Sequence, residues 1–303
     1  MNIFKNNKVK IKKKPLEWKS LIYVAPVLFV LAFLDFYPII DSIYISMTDF
    51  NIIHFFKYSY VGLKNYEFIF KSADLHIVIL NTVVWAAGSV AVMVPIGFIL
   101  ANILNQTKLR GKYFYRTAFL FPWAFPAFIT ILIWSNMLSF KFGIVNDILA
   151  TVGIKNIPWI TSKHYAMISL ILVNFWLSFP YYTYIFIAAM QSVPHELYDA
   201  AKMDGYGSLG TLTHVTAPLL SRQISFITIF GFIFTWNNFY VPFLLTSGGP
   251  GISTQILITY SYLQAFSYSD YSIGAAYAVI SIVILLVFVV IANKYTKMMS
   301  ILY

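Results

Sequence analysis

The chain alternates long apolar stretches with short polar segments. Six stretches reach the length of about 20 residues that a helix needs to cross a bilayer. Lipid offers backbone groups no hydrogen-bond partner, and these stretches are too evenly apolar for barrel strands. The pattern therefore predicts an all-α, polytopic membrane protein with six transmembrane helices. The predicted spans cover residues 20–46, 77–104, 117–139, 165–191, 223–246 and 271–293.

The composition favours a membrane domain over a soluble one. Hydrophobic residues make up 59% of the 303-residue chain, and charged residues 11%, against about 25% charged residues in soluble domains. Cysteine is absent, so we expect neither a disulfide framework nor a thiolate metal site. The His residues form no metal-like cluster in the sequence, and we predict no metal site and no catalytic residue.

The basic residues follow the predicted topology. The net charge is +10, and six spans place both termini on one side of the membrane. If that side is the cytoplasm, 15 Lys and Arg residues lie inside and six lie outside. This bias predicts a cell-membrane protein with cytoplasmic termini, and it explains the charge without a nucleic-acid partner. Residues 1–19 are predicted as a basic cytoplasmic tail, and residues 20–303 as one transmembrane domain. A cleaved signal peptide is disfavoured, because the first apolar stretch is too long.

A polar segment of about residues 192–222 separates the fourth and fifth spans. Pro194 suits the first turn of a short helix that Ser192 or Val193 would cap. Gly205 can adopt the left-handed conformation that ends a helix. An amphipathic helix lying on the lipid headgroups is the alternative, but such helices carry several basic residues and large apolar anchors. The segment carries few of either, and it therefore predicts a docking surface for another protein.

This segment resembles the signature loop of ABC importer permeases, which reads EAA, then Gly four residues on, then I-x-L-P. The spacing fits throughout, with Asp199 in place of the Glu and Ala217 in place of the Leu. In that family the loop is a coupling helix docked on the ATPase subunit, and the fold is the type I importer permease fold. The resemblance implies ATPase-coupling roles for Glu196, Asp199, Ala200, Ala201, Asp204, Gly205 and Pro218.

The resemblance extends over most of the chain. It is similar to the first of the two permease subunits of carbohydrate ABC importers, and most of all to the maltose/maltodextrin members. The resemblance implies four partners: a second homologous permease subunit, an ATP-binding cassette ATPase dimer, an extracytoplasmic solute-binding protein and a sugar. No Walker motif occurs, so ATP and Mg are expected on the ATPase and no cofactor on this chain. The motifs that carry the resemblance lie at residues 60–66, 81–82, 116–123, 126–131, 236–239 and 245–251.

The fourth and fifth spans bring aromatic and polar side chains to one depth. In the fourth span, Pro180 is expected to kink the helix and to free the carbonyl of Trp176. In the fifth, a stripe at helical spacing includes Gly231, Phe234 and Asn238. Sugars bind where an apolar face lies beside hydrogen-bonding groups. The alternative is that the polar groups only join helices, and we favour it for Asn237, which lies off the stripe.

In maltose permeases the matching motifs line a sugar site in the middle of the membrane. Ser178 and Thr235 depart from the family's residues, so the resemblance leaves the details of sugar selectivity open. The resemblance implies substrate-binding roles for Trp176, Ser178, Tyr181, Phe234, Thr235 and Asn238.

The predicted function is the permease subunit of an ATP-driven importer that passes a maltodextrin-like oligosaccharide inward by alternating access. A permease for glycerol-3-phosphate or for another oligosaccharide remains open. A polytopic membrane enzyme is a more distant alternative, since the sequence has no Cys, no His within a span and no paired carboxylates at depth. A secondary transporter would usually show internal repeats and buried charge.

Overall fold

The computed structural model describes residues 18–106 and 109–296, and these residues are helical apart from their connecting loops. Within those ranges no strand forms, and the only sheet-like pairing is an isolated bridge between Thr48 and Tyr60. The predicted all-α class is confirmed. In chain order the helices are α1 (Trp18–Leu31), α2 (Tyr37–Ile45), α3 (Lys64–Lys71), α4 (Ala73–Asn105), α5 (Lys112–Phe119), α6 (Ala127–Met137), α7 (Ile144–Thr151), α8 (Lys163–Gln191), α9 (His195–Met203), α10 (Ser208–Thr211), α11 (Ala217–Leu219), α12 (Ser221–Trp236), α13 (Tyr240–Thr246), α14 (Leu257–Tyr262) and α15 (Tyr271–Thr296). Shorter turns join some of them: a 3₁₀ turn at Phe121–Ala124 and π-helical turns at Ala32–Phe36, Leu212–Thr216 and Leu263–Ser267.

Four of the predicted spans form helices that are long and apolar enough to cross a membrane. The first is the helical run Ile22–Ile45, and the second and fourth are α4 and α8. The sixth lies within α15, at Tyr271–Tyr295. The predicted basic tail, residues 1–19, lies almost wholly outside the described residues.

The third predicted span, residues 117–139, is not one continuous helix. It begins in the last residues of α5, passes through the 3₁₀ turn and continues as the 11-residue helix α6. Pro122 and Pro126 explain the breaks, because proline has no backbone N–H and disfavours helical geometry in the residue before it. Phe125, directly before Pro126, is accordingly extended, with φ −109° and ψ 144°.

The fifth predicted span, residues 223–246, is also broken. Helix α12 ends at Trp236 and α13 begins at Tyr240, so Asn237 to Phe239 interrupt the helix. The backbone N–H of Val241 donates a hydrogen bond to the side-chain oxygen of Asn238 at 3.3 Å. This amide side chain thus satisfies a backbone donor of the first turn of α13, as a capping residue does.

Long helices pack around α4, which lies along α8 and also contacts α12. Where α4 meets α8, Gly97 leaves no room for a side chain, because a Cβ would overlap Tyr182. Helix α15 packs against α14 and α2. Trp85 and Trp236 are fully buried, and each anchors a separate apolar cluster. The tightly packed centre therefore consists of the second, fourth, fifth and sixth spans.

Candidate functional site

A cavity of about 500 Å³ opens where α8 faces the break between α12 and α13. The 3₁₀ turn and α6 complete its wall. Cavities of several hundred cubic ångströms are the usual size for small-molecule sites. Its lining residues are Trp123, Ala127, Ile131, Asn174, Leu177, Ser178, Tyr181, Tyr182, Phe234, Thr235, Asn237, Asn238, Phe239, Tyr240 and Val241.

Most of the predicted substrate-binding residues line this cavity. Ser178 and Tyr181 reach it from α8, and Phe234, Thr235 and Asn238 reach it from α12 and the break that follows. The structure thus brings together five side chains that lie up to 60 positions apart in the sequence. Their binding roles stay predictions, but their convergence on one cavity is a property of the fold.

Trp176 is the exception, because it is absent from the cavity lining. Its ring lies 5.9 Å from that of Trp134, in an edge-on arrangement, and 5.9 Å from that of Phe179. Successive residues of an α-helix are rotated by about 100° about its axis, so Trp176 and its neighbour Leu177 point in different directions from α8. The structure places Trp176 in an aromatic contact with α6 rather than beside Asn238.

A chain of polar side chains joins three elements beside the cavity. The amide nitrogen of Asn238 donates a hydrogen bond to Oδ1 of Asn174 at 3.3 Å. The amide nitrogen of Asn174 in turn donates to the Ser89 hydroxyl on α4, also at 3.3 Å. Ser89 and Asn174 are buried. The chain of bonds fixes the Asn238 amide relative to α4 and α8.

The backbone at the end of α12 is held by the second span. The carbonyl of Thr235 accepts a hydrogen bond from the indole N–H of Trp85 at 2.9 Å and another from the backbone N–H of Asn238 at 3.0 Å. A helix that stops inside an apolar layer leaves carbonyls that need such donors. The buried indole therefore stabilises the break that carries Asn238 into the cavity.

On the opposite wall, the indole N–H of Trp123 donates to the carbonyl of Leu177 at 3.0 Å. Its ring centre lies 6.2 Å from that of Tyr181. Pro180 lies inside α8, which continues unbroken to Gln191. The sequence had pointed to a freed carbonyl at Trp176, whereas the carbonyl that receives a donor from another segment is that of Leu177.

Several lining residues were missed by the sequence reasoning. Asn237 was favoured as a helix-joining residue because it lay off the α12 stripe, yet it is exposed at the cavity. The stripe does not apply to it, since α12 ends one residue earlier. Trp123 lies in the motif at residues 116–123 and Asn174 in the fourth predicted span, but neither was assigned to the site. A buried amide within a span could have identified Asn174, whereas nothing local marks Trp123.

The cavity is uncharged. Among its lining residues in the described ranges there is no Lys, Arg, His, Asp or Glu. It offers instead the hydroxyls and amides named above beside six aromatic rings, those of Trp123, Tyr181, Tyr182, Phe234, Phe239 and Tyr240. Chemically, this is a surface for a neutral ligand with hydroxyl groups and apolar faces.

The predicted coupling helix is present as α9, but it starts differently from the prediction. Pro194 precedes the first helical residue, His195, and no side chain caps the helix. The Ser192 hydroxyl donates instead to the carbonyl of Ala189, at the end of α8. Ser192 thus belongs to the C-terminus of the fourth span. Val193 is buried in the apolar cluster that joins α4 and α8.

The end of α9 agrees with the prediction for Gly205. Its φ is +86°, and its N–H donates to the carbonyl of Lys202 at 3.1 Å. The N–H of Tyr206 donates to the carbonyl of Ala201 at 3.0 Å. These two bonds form a Schellman motif, which ends a helix with a left-handed residue.

The remaining predicted coupling residues on α9 divide into an exposed and a buried set. Glu196, Asp199, Ala200 and Asp204 are exposed. Ala201 is only 4% exposed, so it packs on the permease itself and its side chain is not displayed as part of a docking face. Helix α9 packs against α10 and the π-helical turn at Leu212–Thr216.

Asp199 makes a local ion pair. The Lys202 ammonium donates a hydrogen bond to its carboxylate at 2.8 Å, and this bond holds the pKa of Asp199 below its ordinary value. Both side chains are largely exposed. Asp199 is therefore negatively charged at neutral pH and displayed on the surface of the loop.

Pro218 lies next to a sharp turn of the chain. The segment Ser208–Leu219 and helix α12 meet at an angle of 79°. Leu220, between them, is buried in the same apolar cluster as Val193. Pro218 is thus within the short helix α11, before the turn, and not at the start of the span itself.

Comparison with known proteins shows the family. The profile of the family described as "Binding-protein-dependent transport system inner membrane component" matches residues 93–298. The chain belongs to this family of membrane transport permeases. The matched region contains the cavity, the break after α12 and the loop that carries α9.

Two relatives from Bacillus subtilis (strain 168) illustrate the range of the family. The chain is 35% identical over 269 residues to the galactooligosaccharides transport system permease protein GanP, a match that covers 84% of this chain and 64% of GanP. It is 31% identical over 276 residues to the maltodextrin transport system permease protein MdxF, covering 84% and 63%. The chain thus spans less than two thirds of the length of these relatives.

A solved structure shares the fold. A chain of a bacterial ABC transporter involved in the import of the acidic polysaccharide alginate superimposes with a TM-score of 0.80 at 21% identity, covering 92% of this chain and 95% of that one. The importer permease fold expected from the sequence is therefore confirmed.

Proposed function

We propose that this chain is the permease subunit of an ATP-driven importer for neutral oligosaccharides, of the maltodextrin or galactooligosaccharide type. The uncharged cavity carries this proposal: it combines aromatic faces with hydroxyl and amide groups, and its lining includes no charged side chain. Sugar rings stack on aromatic faces, and buried amides and hydroxyls select their partners by hydrogen bonding. The names of the two relatives, one for galactooligosaccharides and one for maltodextrin, support this substrate class.

The absence of charge in the cavity lining weighs against anionic solutes. Glycerol-3-phosphate or an acidic sugar would enter a mostly apolar cavity without a cation, and burying an unpaired anion is costly. The alginate importer shares the fold, but at 21% identity it carries no information about this chain's substrate. The geometry therefore favours neutral sugars over the anionic alternatives.

The exposed loop and the exposed first span support the proposed partners. Glu196, Asp199 and Ala200 on α9 and Asp204 at its C-cap are exposed, and we assign this surface, with Gly205, to an ATP-binding cassette ATPase dimer that binds ATP and Mg. The helical run Ile22–Ile45 has no buried residues in its apolar window. We assign its surface to lipid and to a second homologous permease subunit, and sugar delivery to an extracytoplasmic solute-binding protein. With α9 on the ATPase side, both termini lie in the cytoplasm, in line with the distribution of basic residues.

Uptake by whole cells tests the proposal. Cells that lack the gene for this chain, with and without a plasmid copy, would be given radiolabelled maltotriose, galactotriose, glycerol-3-phosphate and an alginate trisaccharide. We expect the plasmid to restore ATP-dependent uptake of at least one neutral trisaccharide and of neither anion. Restoration of an anionic solute alone, or of none of the four, would refute the assignment.

A further inference from the structure

Tyr182 is a cavity residue that the predicted site does not include. It follows Tyr181 on α8, lines the cavity and is only 4% exposed. Among the described residues, its hydroxyl has no hydrogen-bond partner. It is also not among the fully buried polar atoms that lack a partner, so it is not completely inaccessible. The hydroxyl thus belongs to a side chain that lines the cavity, and it keeps some accessible surface.

Two glycines on neighbouring spans fix the position of this ring. A Cβ added to Gly97 on α4 would overlap the Cβ of Tyr182. A Cβ added to Gly231 on α12 would overlap the Tyr182 hydroxyl oxygen, and the next nearest atom, Cζ, would lie 3.3 Å away. The hydroxyl thus occupies the place that a side chain at position 231 would take. Gly231 is buried and lies one turn before Phe234 and Thr235, the two residues of α12 that line the cavity.

A tyrosine hydroxyl in such a place needs a partner from outside the chain. Buried polar groups are almost always hydrogen-bonded, and a rigid ring cannot turn its hydroxyl toward solvent elsewhere. The cavity that Tyr182 lines has no charged side chain in its lining that would compete for this hydroxyl. A hydroxyl group of a bound sugar would supply both a donor and an acceptor.

We propose that the Tyr182 hydroxyl hydrogen-bonds one hydroxyl of the transported sugar, and that Gly231 positions it by leaving that space empty. This proposal rests on the proposed function, and it assigns a specificity-determining residue to it. It predicts that one hydroxyl on the sugar matters only while Tyr182 is present.

A set of monodeoxy sugars tests this pairing. The importer assembled in cells would be given whichever trisaccharide, maltotriose or galactotriose, is taken up faster, and its monodeoxy analogues. In the unaltered chain, we expect one analogue to enter about fivefold more slowly through loss of this hydrogen bond. In Tyr182→Phe, the parent should slow to the same rate and the difference for that analogue should vanish. Weaker binding of an analogue by the solute-binding protein would slow its uptake equally with both chains. It therefore cancels when the parent-to-analogue ratio is compared between them.

Tyr184→Phe is the matched control on the same helix. The Tyr184 hydroxyl bonds to the carbonyl of Arg116 and lies outside the cavity lining. Its loss should change the uptake of parent and analogues by one common factor. If Tyr182→Phe behaves in this way too, Tyr182 only packs and the inference is wrong, while the proposed function stands. If the unaltered chain imports no neutral trisaccharide, the proposed function itself fails.

Substitution of Gly231 provides an independent test of the proposal. Gly231→Ala should displace the Tyr182 hydroxyl and reduce uptake of the parent sugar by about fivefold. In a Tyr182→Phe background, the same change meets no hydroxyl and should reduce uptake no further. Additive losses in the double variant would overturn the proposal, and so would normal discrimination among the deoxy sugars in Gly231→Ala. Immunoblots of the membrane fraction would show that each variant is inserted.

Discussion

The loop around α9 and the cavity beside α8 are built by different kinds of contact. The helix of the loop is ended by backbone bonds between residues at most five positions apart, at Ala201, Lys202, Gly205 and Tyr206. The cavity depends on bonds between distant segments, such as those from Trp85 to Thr235 and from Asn238 to Asn174, 150 and 64 positions apart. The loop is therefore sensitive to single backbone conformations, and the cavity to the packing of whole helices.

The largest effect is expected from Gly205→Val. A left-handed conformation costs a residue with a side chain about 1–2 kcal/mol, and β-branching adds to this. The added Cβ meets no atom within 4 Å, so the strain is conformational and not a clash. We expect uptake to fall about tenfold or more while the protein still inserts into the membrane. Uptake and sugar-stimulated ATP hydrolysis in vesicles would measure this.

Gly207→Val is the control for that comparison. Gly207 lies two residues further on, in extended backbone with φ −76°, and a Cβ there also meets nothing within 4 Å. This variant should couple normally. Equal losses at both positions would mean that the bulk of the side chain matters and that the left-handed conformation does not.

Asn238→Ala should have the next largest effect. It removes the bonds to Asn174 and to the N–H of Val241, and it leaves the buried amide oxygen of Asn174 without its donor. Such a loss costs about 1–3 kcal/mol. We expect sugar uptake to fall about fivefold or more, with co-purification of the ATPase unchanged.

Asn136→Ala provides the reference for that variant. The Asn136 amide bonds to the carbonyl of Leu132, four residues earlier on the same helix, and is exposed. Its removal should leave uptake nearly normal. Loss of ATPase binding in Asn238→Ala would instead show that the break after α12 is required for assembly.

The same Trp→Phe substitution at two positions distinguishes a residue that lines the cavity from one that only contacts another helix. Trp123→Phe removes the donor to Leu177 but keeps an aromatic ring near Tyr181, and we expect a change in sugar preference of about threefold to fivefold. Trp176→Phe alters a ring outside the cavity and should leave sugar preference unchanged. Competition among neutral trisaccharides during uptake would compare them. The reverse pattern would restore Trp176 to the binding site and remove Trp123 from it.

The smallest effect, on the pH dependence of ATP hydrolysis, is expected from Asp199→Asn. The pKa of Asp199 is lowered by its bond to Lys202, so the pair is intact above the ordinary Asp pKa of about 3.9 and is lost only as the pH falls below it. Near neutral pH, the rate of sugar-stimulated ATP hydrolysis should therefore depend on pH in the same way in the unaltered importer and in Asp199→Asn. A pH profile of hydrolysis in both chains would check this. A neutral-range step present only in the unaltered chain would show that ATPase docking raises the pKa of the carboxyl group.

Local sequence by itself determined four of the six spans, the presence of the helix in the loop and the end of that helix. The apolar runs had to become helices because lipid leaves backbone groups no other partner. Gly205 had to end α9 because it tolerates the left-handed backbone that the Schellman motif requires. Both inferences use residues that are neighbours along the chain.

Only the tertiary structure decided which side chains share the cavity. It excluded Trp176 and admitted Trp123, Asn174, Tyr182 and Asn237. Helical spacing could not foresee this, since α12 stops at Trp236 and a buried indole from α4 satisfies the carbonyl of Thr235. The physical reason is that a cavity forms where separate helices fail to fill space together, and that depends on their relative placement and not on the pattern within any one of them.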